Sequence, residues 1–393
     1  MDKMEFLQGN PQEEGPKRVE KKKAKRRWGW LIVAAVLVVA GVTAAVLWDP
    51  TAFDGLRRSI IYASAEKDET GCAQLYHYTS ERDYAYASLE GSLVLASANR
   101  IVVLGEEDAV RYSVDVKFTK AGVAVNEEIA AVYDIGGTEI HVIDSQGAVR
   151  QLSVEGEILS CTLNEAGAMA VTFNKSGVKA GVTVFDREGE KVFGFNSGER
   201  FLMTAAVSRD SRQMAAVAMG QTEGTFVSSV VIYDLDSDQP KDIVEMAGGA
   251  VYDIGTMGGK WCAVGEDALH LIDREGAVLS YGFEGGYLRR CAMGDNFTAL
   301  VLGRYKTGTQ GRIVCVDDEG MTLGVVEVDK EVLSVSAAGK YVAVLYSDEL
   351  VIYDKTLTVC AQLQSVSAAR CVMMRRDGSA VLAGADRASL YLP

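Results

Sequence analysis

The sequence predicts an all-β protein, a β-propeller of about eight four-stranded blades preceded by one transmembrane helix. Three observations predict it. An apolar run ending in a turn aspartate recurs along the chain, each repeat holds two β-hairpin patterns, and one uncharged segment near the start is long enough to cross a bilayer. The fold class therefore follows from the repeat period and the hydropathy.

The repeat is clearest in LHLIDREGAV, residues 269–278, where an apolar run ends at an aspartate and a glycine follows three residues later. The aspartates that close the related runs lie 37 to 48 residues apart and are Asp144, Asp186, Asp234, Asp273, Asp317 and Asp354. Four copies read Asp-x-x-Gly, in which the carboxylate can accept hydrogen bonds from the following backbone and glycine supplies a positive φ. Each copy therefore predicts the turn of a β-hairpin.

The other half of each repeat has a polar or glycine-rich break between two apolar strands, as in LSCTLNEAGAMAVTF. Two hairpins per roughly forty residues give one four-stranded antiparallel sheet, and a tandem array of such sheets is typical of a propeller. Sets of strands begin near residues 84, 121, 158, 203, 250, 287, 331 and 367. The last set has only three strands, and the segment 72–79 could supply the fourth, which would close the ring. Eight blades are favoured, with seven as the alternative.

The first 48 residues differ from the rest in composition. Residues 1–27 are polar and basic, which predicts a disordered cytoplasmic tail. Residues 28–48 carry no charge, and Trp28, Trp30 and Trp48 lie at the two ends, where indole rings favour the membrane interface. This segment predicts a membrane anchor; a cleaved signal peptide is the alternative, because Thr43-Ala44-Ala45 resembles a cleavage site.

The charge distribution predicts the topology. The basic cluster lies before the span, so the N-terminus is expected in the cytoplasm and the propeller, residues 72–393, outside the cell membrane beyond a linker of residues 49–71. Without the tail, the chain holds 31 Lys and Arg against 49 Asp and Glu, a net charge of about −18. The expected partners are therefore the cytoplasmic membrane, through the anionic headgroups near the tail, and a protein in the membrane or envelope, and no nucleic acid.

No motif for catalysis, phosphate binding, calcium or a metal is present in the sequence, so no catalytic residue, cofactor or metal is predicted. The seven cysteines include no C-x-x-C pair and are predicted to be buried free thiols. His141 and His270 occupy the same repeat position, three residues before the turn aspartate, which indicates packing within the repeat rather than metal binding. The turn aspartates are expected to cap turns rather than to catalyse.

In propellers, ligands tend to bind loops on one face or the central channel. The charged or aromatic pairs that stand near predicted strand ends are the candidate ligand-binding residues: Arg209, Asp210, Tyr252, Asp253, Arg289 and Arg290. Arg375, Arg376 and Asp377 belong to a predicted turn. For each of these residues, a solvated turn or strand edge is the alternative.

The turns in VSRDSRQMAAVA and MRRDGSAVLAGA resemble those of WD-type and related seven- or eight-bladed propellers. The layout of basic tail, single span and divergent propeller resembles an uncharacterised family of single-span envelope proteins of Gram-positive bacteria. The resemblance implies a fold and a location but no activity. The sequence lacks the G-H and W-D signatures, and it lacks the tryptophan-docking motif of quinoprotein propellers, so a quinone cofactor is not expected.

The function expected from the sequence is a membrane-anchored extracytoplasmic scaffold that binds a protein or an envelope ligand. One alternative is a glycan hydrolase or lyase that uses two carboxylates in the channel, which a retaining mechanism places about 5 Å apart. The other is a transmembrane sensor, although the tail has no recognisable effector domain.

Overall fold

The computed structural model describes residues 67–393, apart from residues 70, 82, 90, 223 and 247. Among these residues, no helix has the length and apolar character needed to span a bilayer. The predicted tail, the predicted transmembrane helix and residues 49–66 of the predicted linker lie outside the described residues.

The described part is made of short strands and one 3-10 turn, Glu106–Asp108. In chain order, the strands of the first half are β1 (Cys72–His77), β2 (Ala85–Leu89), β3 (Ser92–Ala96), β4 (Arg100–Leu104), β5 (Val110–Asp115), β6 (Ala121–Val125), β7 (Ala130–Asp134), β8 (Glu139–Asp144), β9 (Gly147–Ser153), β10 (Glu157–Leu163), β11 (Met169–Asn174), β12 (Ala180–Phe185), β13 (Lys191–Ser197), β14 (Phe201–Val207), β15 (Gln213–Thr222) and β16 (Thr225–Asp234). Those of the second half are β17 (Pro240–Glu245), β18 (Val251–Met257), β19 (Lys260–Gly265), β20 (Ala268–Ile272), β21 (Val278–Gly282), β22 (Tyr287–Met293), β23 (Phe297–Gly303), β24 (Gly311–Asp317), β25 (Thr322–Val328), β26 (Val332–Ala338), β27 (Tyr341–Tyr346), β28 (Glu349–Asp354), β29 (Val359–Gln364), β30 (Ala369–Met374), β31 (Ala380–Gly384) and β32 (Arg387–Tyr391).

The strands form eight four-stranded antiparallel sheets, so the prediction of eight blades is confirmed. Blades 1 to 7 each take four consecutive strands, from β2–β5 to β26–β29, with the first strand innermost. Blade 8 has the order β30-β31-β32-β1, so its outermost strand comes from the start of the propeller. The predicted closure by the segment at 72–79 is also confirmed. Closure pairs an edge of β32 that would otherwise be a template for aggregation.

The apolar core lies between the blades. Eight clusters of buried apolar side chains are present, and each takes its members from two adjacent blades. The second and third strands of each blade are apolar on both faces because both faces pack against neighbours, as in β15, whose residues 214–218 are all buried. The predicted hairpins therefore stack into a continuous ring.

The aspartate turns form as the sequence predicts. In the turn after β24, the Asp317 carboxylate accepts hydrogen bonds from the backbone N–H groups of Glu319 and Met321, at 3.0 and 2.8 Å. Gly320 has a φ of +74°, a region that favours glycine. Asp234, whose copy lacks the glycine, instead accepts a hydrogen bond from Nε2 of Gln213 at 2.7 Å. The repeated aspartate is thus a turn cap in most blades.

The predicted packing of the histidines and cysteines is met in part. His141 and His270 are buried, and burial lowers the pKa of both. All seven cysteines are free, and the buried ones are Cys161, Cys262 and Cys315. Burial raises the pKa of Cys262 to about 12, which makes that thiol unreactive. Cys360 is exposed because it lies on an outermost strand, so the prediction of burial is wrong there.

Candidate functional site

The strand order gives the propeller two faces. We define the upper face as the end at which the innermost strands begin, and the lower face as the end at which they finish. The upper face carries the connections between blades and the turns between second and third strands, and the lower face carries the other turns. Since β1 is an outermost strand, it starts at the lower face, where Leu392 N–H donates to the Gly71 carbonyl. The chain therefore enters the ring at the lower face.

Six innermost strands share an irregularity near their upper ends. The pairing with the second strand skips one residue there, which is a β-bulge. The skipped residues occupy the same place in blades 3 to 8 and are Leu159, Met203, Tyr252, Arg289, Leu333 and Arg370. Bulges free a side chain from the alternation of the ladder and re-aim it. These six residues therefore occupy equivalent positions near the upper ends of their innermost strands.

Two of the predicted pairs prove to be equivalent. Tyr252 and Arg289 are the bulge residues of blades 5 and 6, and Asp253 and Arg290 follow them in each strand. Tyr252 is 53 % exposed. Asp253 keeps solvent-accessible surface, but protein atoms crowd its carboxyl group, and this partial desolvation raises the pKa of the carboxyl. The Ile254 backbone N–H donates to the Asp253 carboxylate at 2.9 Å, which opposes this rise.

Arg289 and Arg290 of blade 6 hold backbone segments in place through hydrogen bonds to carbonyl oxygens. Arg289 donates to the carbonyl oxygens of Tyr305, at 3.0 Å, and Gly308, which lie in the loop between β23 and β24. Arg290 Nε donates to the Val332 carbonyl oxygen of blade 7 at 3.0 Å. Their guanidinium groups therefore fix an upper-face loop and an inter-blade contact rather than standing free for a ligand.

The third predicted pair lies at the other end of the molecule. Arg209 and Asp210 are in the β14–β15 turn of the lower face. Asp210 accepts a hydrogen bond from the Ser208 hydroxyl at 2.7 Å, which lowers the pKa of its carboxyl and caps the turn. Arg209 pairs with Glu165 of blade 3 at 2.8 Å. The structure thus does not bring the six predicted residues into one site.

Glu165 also belongs to an ion cluster at the lower mouth of the channel. Arg376, in the β30–β31 turn of blade 8, pairs with Glu127 of blade 2 at 2.5 Å, with Glu165 of blade 3 at 2.9 Å and with Asp295 of blade 6 at 3.1 Å. One side chain therefore joins blades on opposite sides of the axis across the lower mouth. The sequence placed Arg376 in a turn but gave no signal for these partners, because they lie 81 to 249 residues away along the chain.

Sequence reasoning also missed the exposed aromatic residues of the upper face. Among the described residues, the large aromatic side chains that are substantially exposed are Phe201, Phe226, Tyr252, Tyr287 and Tyr305. All five lie on the upper face, in the consecutive blades 4, 5 and 6, and we call them the aromatic arc. Most other exposed large apolar side chains are spread along outermost strands. Among the described residues, the exposed aromatic side chains are therefore gathered on one face.

Two features extend the upper face around blade 4. The hairpin of β15 and β16 is ten residues long in each strand and carries Phe226, which is 75 % exposed, near its tip. Beside blade 4, a groove of about 510 Å³ is lined by the connection from blade 2 to blade 3, by the β11–β12 turn with Lys179, and by Phe201 at the start of blade 4. The Lys179 ammonium lies 5.2 Å from the centre of the Phe201 ring. The upper face thus combines a projecting hairpin with a groove.

In the described part of the chain, no group of three or more metal-binding side chains is found. The predicted membrane-anchor residues Trp28, Trp30 and Trp48 lie outside that part. What the described geometry offers is a surface for docking, with a channel whose lower mouth is bridged by ion pairs.

Comparisons with known proteins agree with this fold. A family model described as a family of unknown function, DUF5711, matches residues 67–374. No functionally curated protein is detectably similar in sequence.

Among solved structures, the chain is similar to BamB from Moraxella catarrhalis, with 12 % identity and a TM-score of 0.54. It is also similar to the C-terminal WD40 domain of Sif2, with 11 % identity and a TM-score of 0.57. The computationally designed Ika8 protein gives 13 % identity and a TM-score of 0.59. Each similarity covers 81 % of this chain and 99 % of the other. At such identities the likeness establishes the propeller fold alone.

Proposed function

Since the chain belongs to DUF5711, a family of unknown function, we propose its role from its own geometry: it is a membrane-anchored, extracytoplasmic propeller that binds a protein partner through its upper face. The observation that carries the proposal is the aromatic arc. Exposed aromatic clusters mark interaction sites because their burial releases a large apolar area, and tyrosine is enriched among residues that dominate binding energy. Protein recognition is the role that such a surface favours.

The membrane anchor rests on the uncharged segment 28–48 and its basic flank. The described chain enters the propeller at the lower face, the end opposite the aromatic arc, where Lys67 bridges to Ala73. The basic tail would face the anionic headgroups of the cytoplasmic leaflet.

Two experiments test the proposal. For the anchor, protease added to intact, wall-stripped cells should digest the propeller; complete protection would refute the extracytoplasmic location. For the docking face, a photo-reactive amino acid is placed at Phe226 on the upper face and, as a matched control, at Lys355 in an exposed turn of the lower face. We expect one discrete cross-linked product from Phe226, and this product should be lost when Phe201 and Tyr252 are changed to serine.

The control gives the opposing outcome. A discrete product from Lys355 alone, or a Phe226 product that is unaffected by the two serine substitutions, would show that the aromatic arc is not the docking surface. In each case the variants are compared at equal abundance, because both substituted residues are exposed and their replacement should leave the fold unchanged.

A further inference from the structure

The upper face of blade 6 carries a cluster of two tyrosines and three cations. Tyr287 starts the innermost strand, Arg289 is the bulge residue, and the sequence Arg304-Tyr305-Lys306 begins the loop between β23 and β24. The Arg304 guanidinium lies 5.7 Å from the centre of the Tyr305 ring, and the Lys306 ammonium lies 5.8 Å from that of Tyr287. Both distances are within the range of cation–π attraction. Tyr287, Arg304, Tyr305 and Lys306 therefore form one surface, which we call the blade-6 cluster.

The blade-6 cluster is built on a fixed loop. Arg289 donates to the carbonyl oxygens of Tyr305 and Gly308, so its guanidinium holds the loop from within. A side chain added at Gly303 would collide with that guanidinium, which shows how closely Arg289 packs against the strand end. The loop that presents Arg304 and Lys306 is thus braced by a third cation. Bracing lowers the entropy that a binding surface must lose when it is occupied.

The charges of the cluster are not neutralised by their neighbours. Within the described part of the chain, neither Arg304 nor Lys306 forms an ion pair, and neither the Tyr287 nor the Tyr305 hydroxyl has a hydrogen-bond partner. Tyr305 is 56 % exposed and Tyr287 is 41 % exposed. Elsewhere in blade 6, Arg312 pairs with Glu284 of the preceding connection, 3.5 Å apart. Two positive charges, those of Arg304 and Lys306, therefore face solvent on a chain whose net charge is −14.

We propose that the blade-6 cluster recognises an acidic segment of the protein partner, with aspartate or glutamate side chains paired to Arg304 and Lys306 and the segment lying across the two tyrosine rings. The local positive charge selects an acidic sequence, since the chain beyond residue 27 is acidic overall, with 31 Lys and Arg against 49 Asp and Glu. Arginine and tyrosine together are the residues enriched at the centres of protein interfaces. The inference rests on the proposed docking role of the upper face and names the chemistry of the partner.

The test uses the purified full-length chain in detergent and a fluorescein-labelled oligoglutamate peptide, with an oligolysine peptide of equal length as the charge-reversed probe. We expect oligoglutamate to bind with an affinity that falls as salt rises, and the basic residues 17–27 to contribute equally in the wild type and in the variants below. Oligolysine reports the separate attraction to the acidic surface, which reversal of cations should not weaken. The double substitution Arg304→Glu and Lys306→Glu should weaken binding about tenfold or more, because each exposed cation contributes roughly threefold and each new carboxylate repels the probe. Circular dichroism and the thermal midpoint verify the fold.

The matched control reverses two exposed cations of the lower face, Arg274→Glu and Lys355→Glu, which changes the net charge equally. Binding should persist in this control; an equal loss would show that only the total charge matters and would overturn the proposal. Tight binding of polyglycerol phosphate without binding of oligoglutamate would overturn it too, in favour of an anionic polymer. Arg289→Lys keeps the charge but loses the two-carbonyl brace, so it should weaken binding while the salt dependence stays as in the wild type.

The two proposals can fail separately. If the Phe226 cross-link forms in cells and persists in the Arg304→Glu, Lys306→Glu variant, the docking face stands and the acidic-segment inference fails. If oligoglutamate binds and the double substitution abolishes that binding, but no discrete cross-link forms from the upper face, the blade-6 cluster stands and the proposed docking of a protein across blades 4 to 6 fails.

Discussion

Arg376 offers the sharpest test of how the ring is held together, and we predict that Arg376→Met destabilises the propeller in a salt-dependent way. The substitution keeps the length of the side chain and removes its charge. It breaks the pairs with Glu127, Glu165 and Asp295, which come from three other blades. It also leaves those three carboxylates to repel one another around the lower mouth. Both effects act in the folded state alone, since the partners are far apart in the sequence.

The expected magnitude follows from the exposure of the four side chains. Arg376 is 40 % exposed and its partners are 34 to 69 % exposed, so water screens each pair. Exposed pairs contribute about 0.2–1 kcal/mol each, and three give about 1–2 kcal/mol in total. An unfolding entropy of about 2.1 cal/mol/K per residue gives roughly 0.7 kcal/mol/K for a propeller of about 330 residues. The expected fall in Tm is therefore about 2 °C.

The assay is thermal unfolding followed by circular dichroism at low salt and in 1 M NaCl. The Debye length shortens from about 10 Å at 0.1 M to about 3 Å at 1 M, so the difference between Arg376→Met and the wild type should shrink to less than half. Arg274→Met is the matched control, because Arg274 is exposed on the lower face and forms no ion pair with a described residue. An unchanged Tm would refute the reasoning, and a loss that is insensitive to salt would show that packing, not charge, is responsible.

Three further predictions concern the channel, the turns and the closure. Asp253→Asn should stabilise the protein at pH 7 but not below about pH 4. Because the folded-state pKa of Asp253 is raised, its charged form destabilises the folded state increasingly as pH rises above the unfolded pKa of about 3.9. Urea unfolding at several pH values measures the difference in unfolding free energy. Asp317→Ala should cost about 1–2 kcal/mol in urea unfolding, because two backbone N–H groups lose their acceptor, whereas the unconnected change Asp236→Ala should cost under about 0.5 kcal/mol. Deleting residues 1–77, which removes β1, should cause aggregation on size-exclusion chromatography, whereas deleting residues 1–66 should leave a monodisperse propeller; equal behaviour of the two would contradict the closure argument.

The architecture could be predicted from the sequence because each repeat depends on contacts between residues close together in the chain. Each turn aspartate and its hairpin depend on residues within about ten positions, so the pattern predicts them without knowledge of the rest of the fold. The closure of the ring could be predicted for a different reason. The last set has three strands and one unassigned strand precedes the first set, so the two ends of the chain offer two complementary sheet edges. The structure pairs those edges in β1 and β32, with Cys72 opposite Tyr391.

The candidate site was harder to predict from the sequence because its contacts join residues far apart in the chain. No local pattern shows that Arg376 reaches three other blades, or that Arg289 braces a loop sixteen residues away. The bulges were also not predicted, because skipping one residue changes the alternation of apolar and polar positions by a single step. Tyr252 and Arg289 were singled out by chemistry, and only the register of β18 and β22 shows that they occupy equivalent positions.

That equivalence bears on function. The bulge position has the same backbone geometry in six blades, and its side chains are leucine, methionine, tyrosine, arginine, leucine and arginine. Positions that the fold constrains keep one chemistry across the repeats, as the turn aspartate does. A position that the fold leaves free can vary from blade to blade at little cost in stability. The variation therefore gives the six bulged blades four different residue types near the upper face, beside the aromatic arc, whose Tyr252 belongs to both sets.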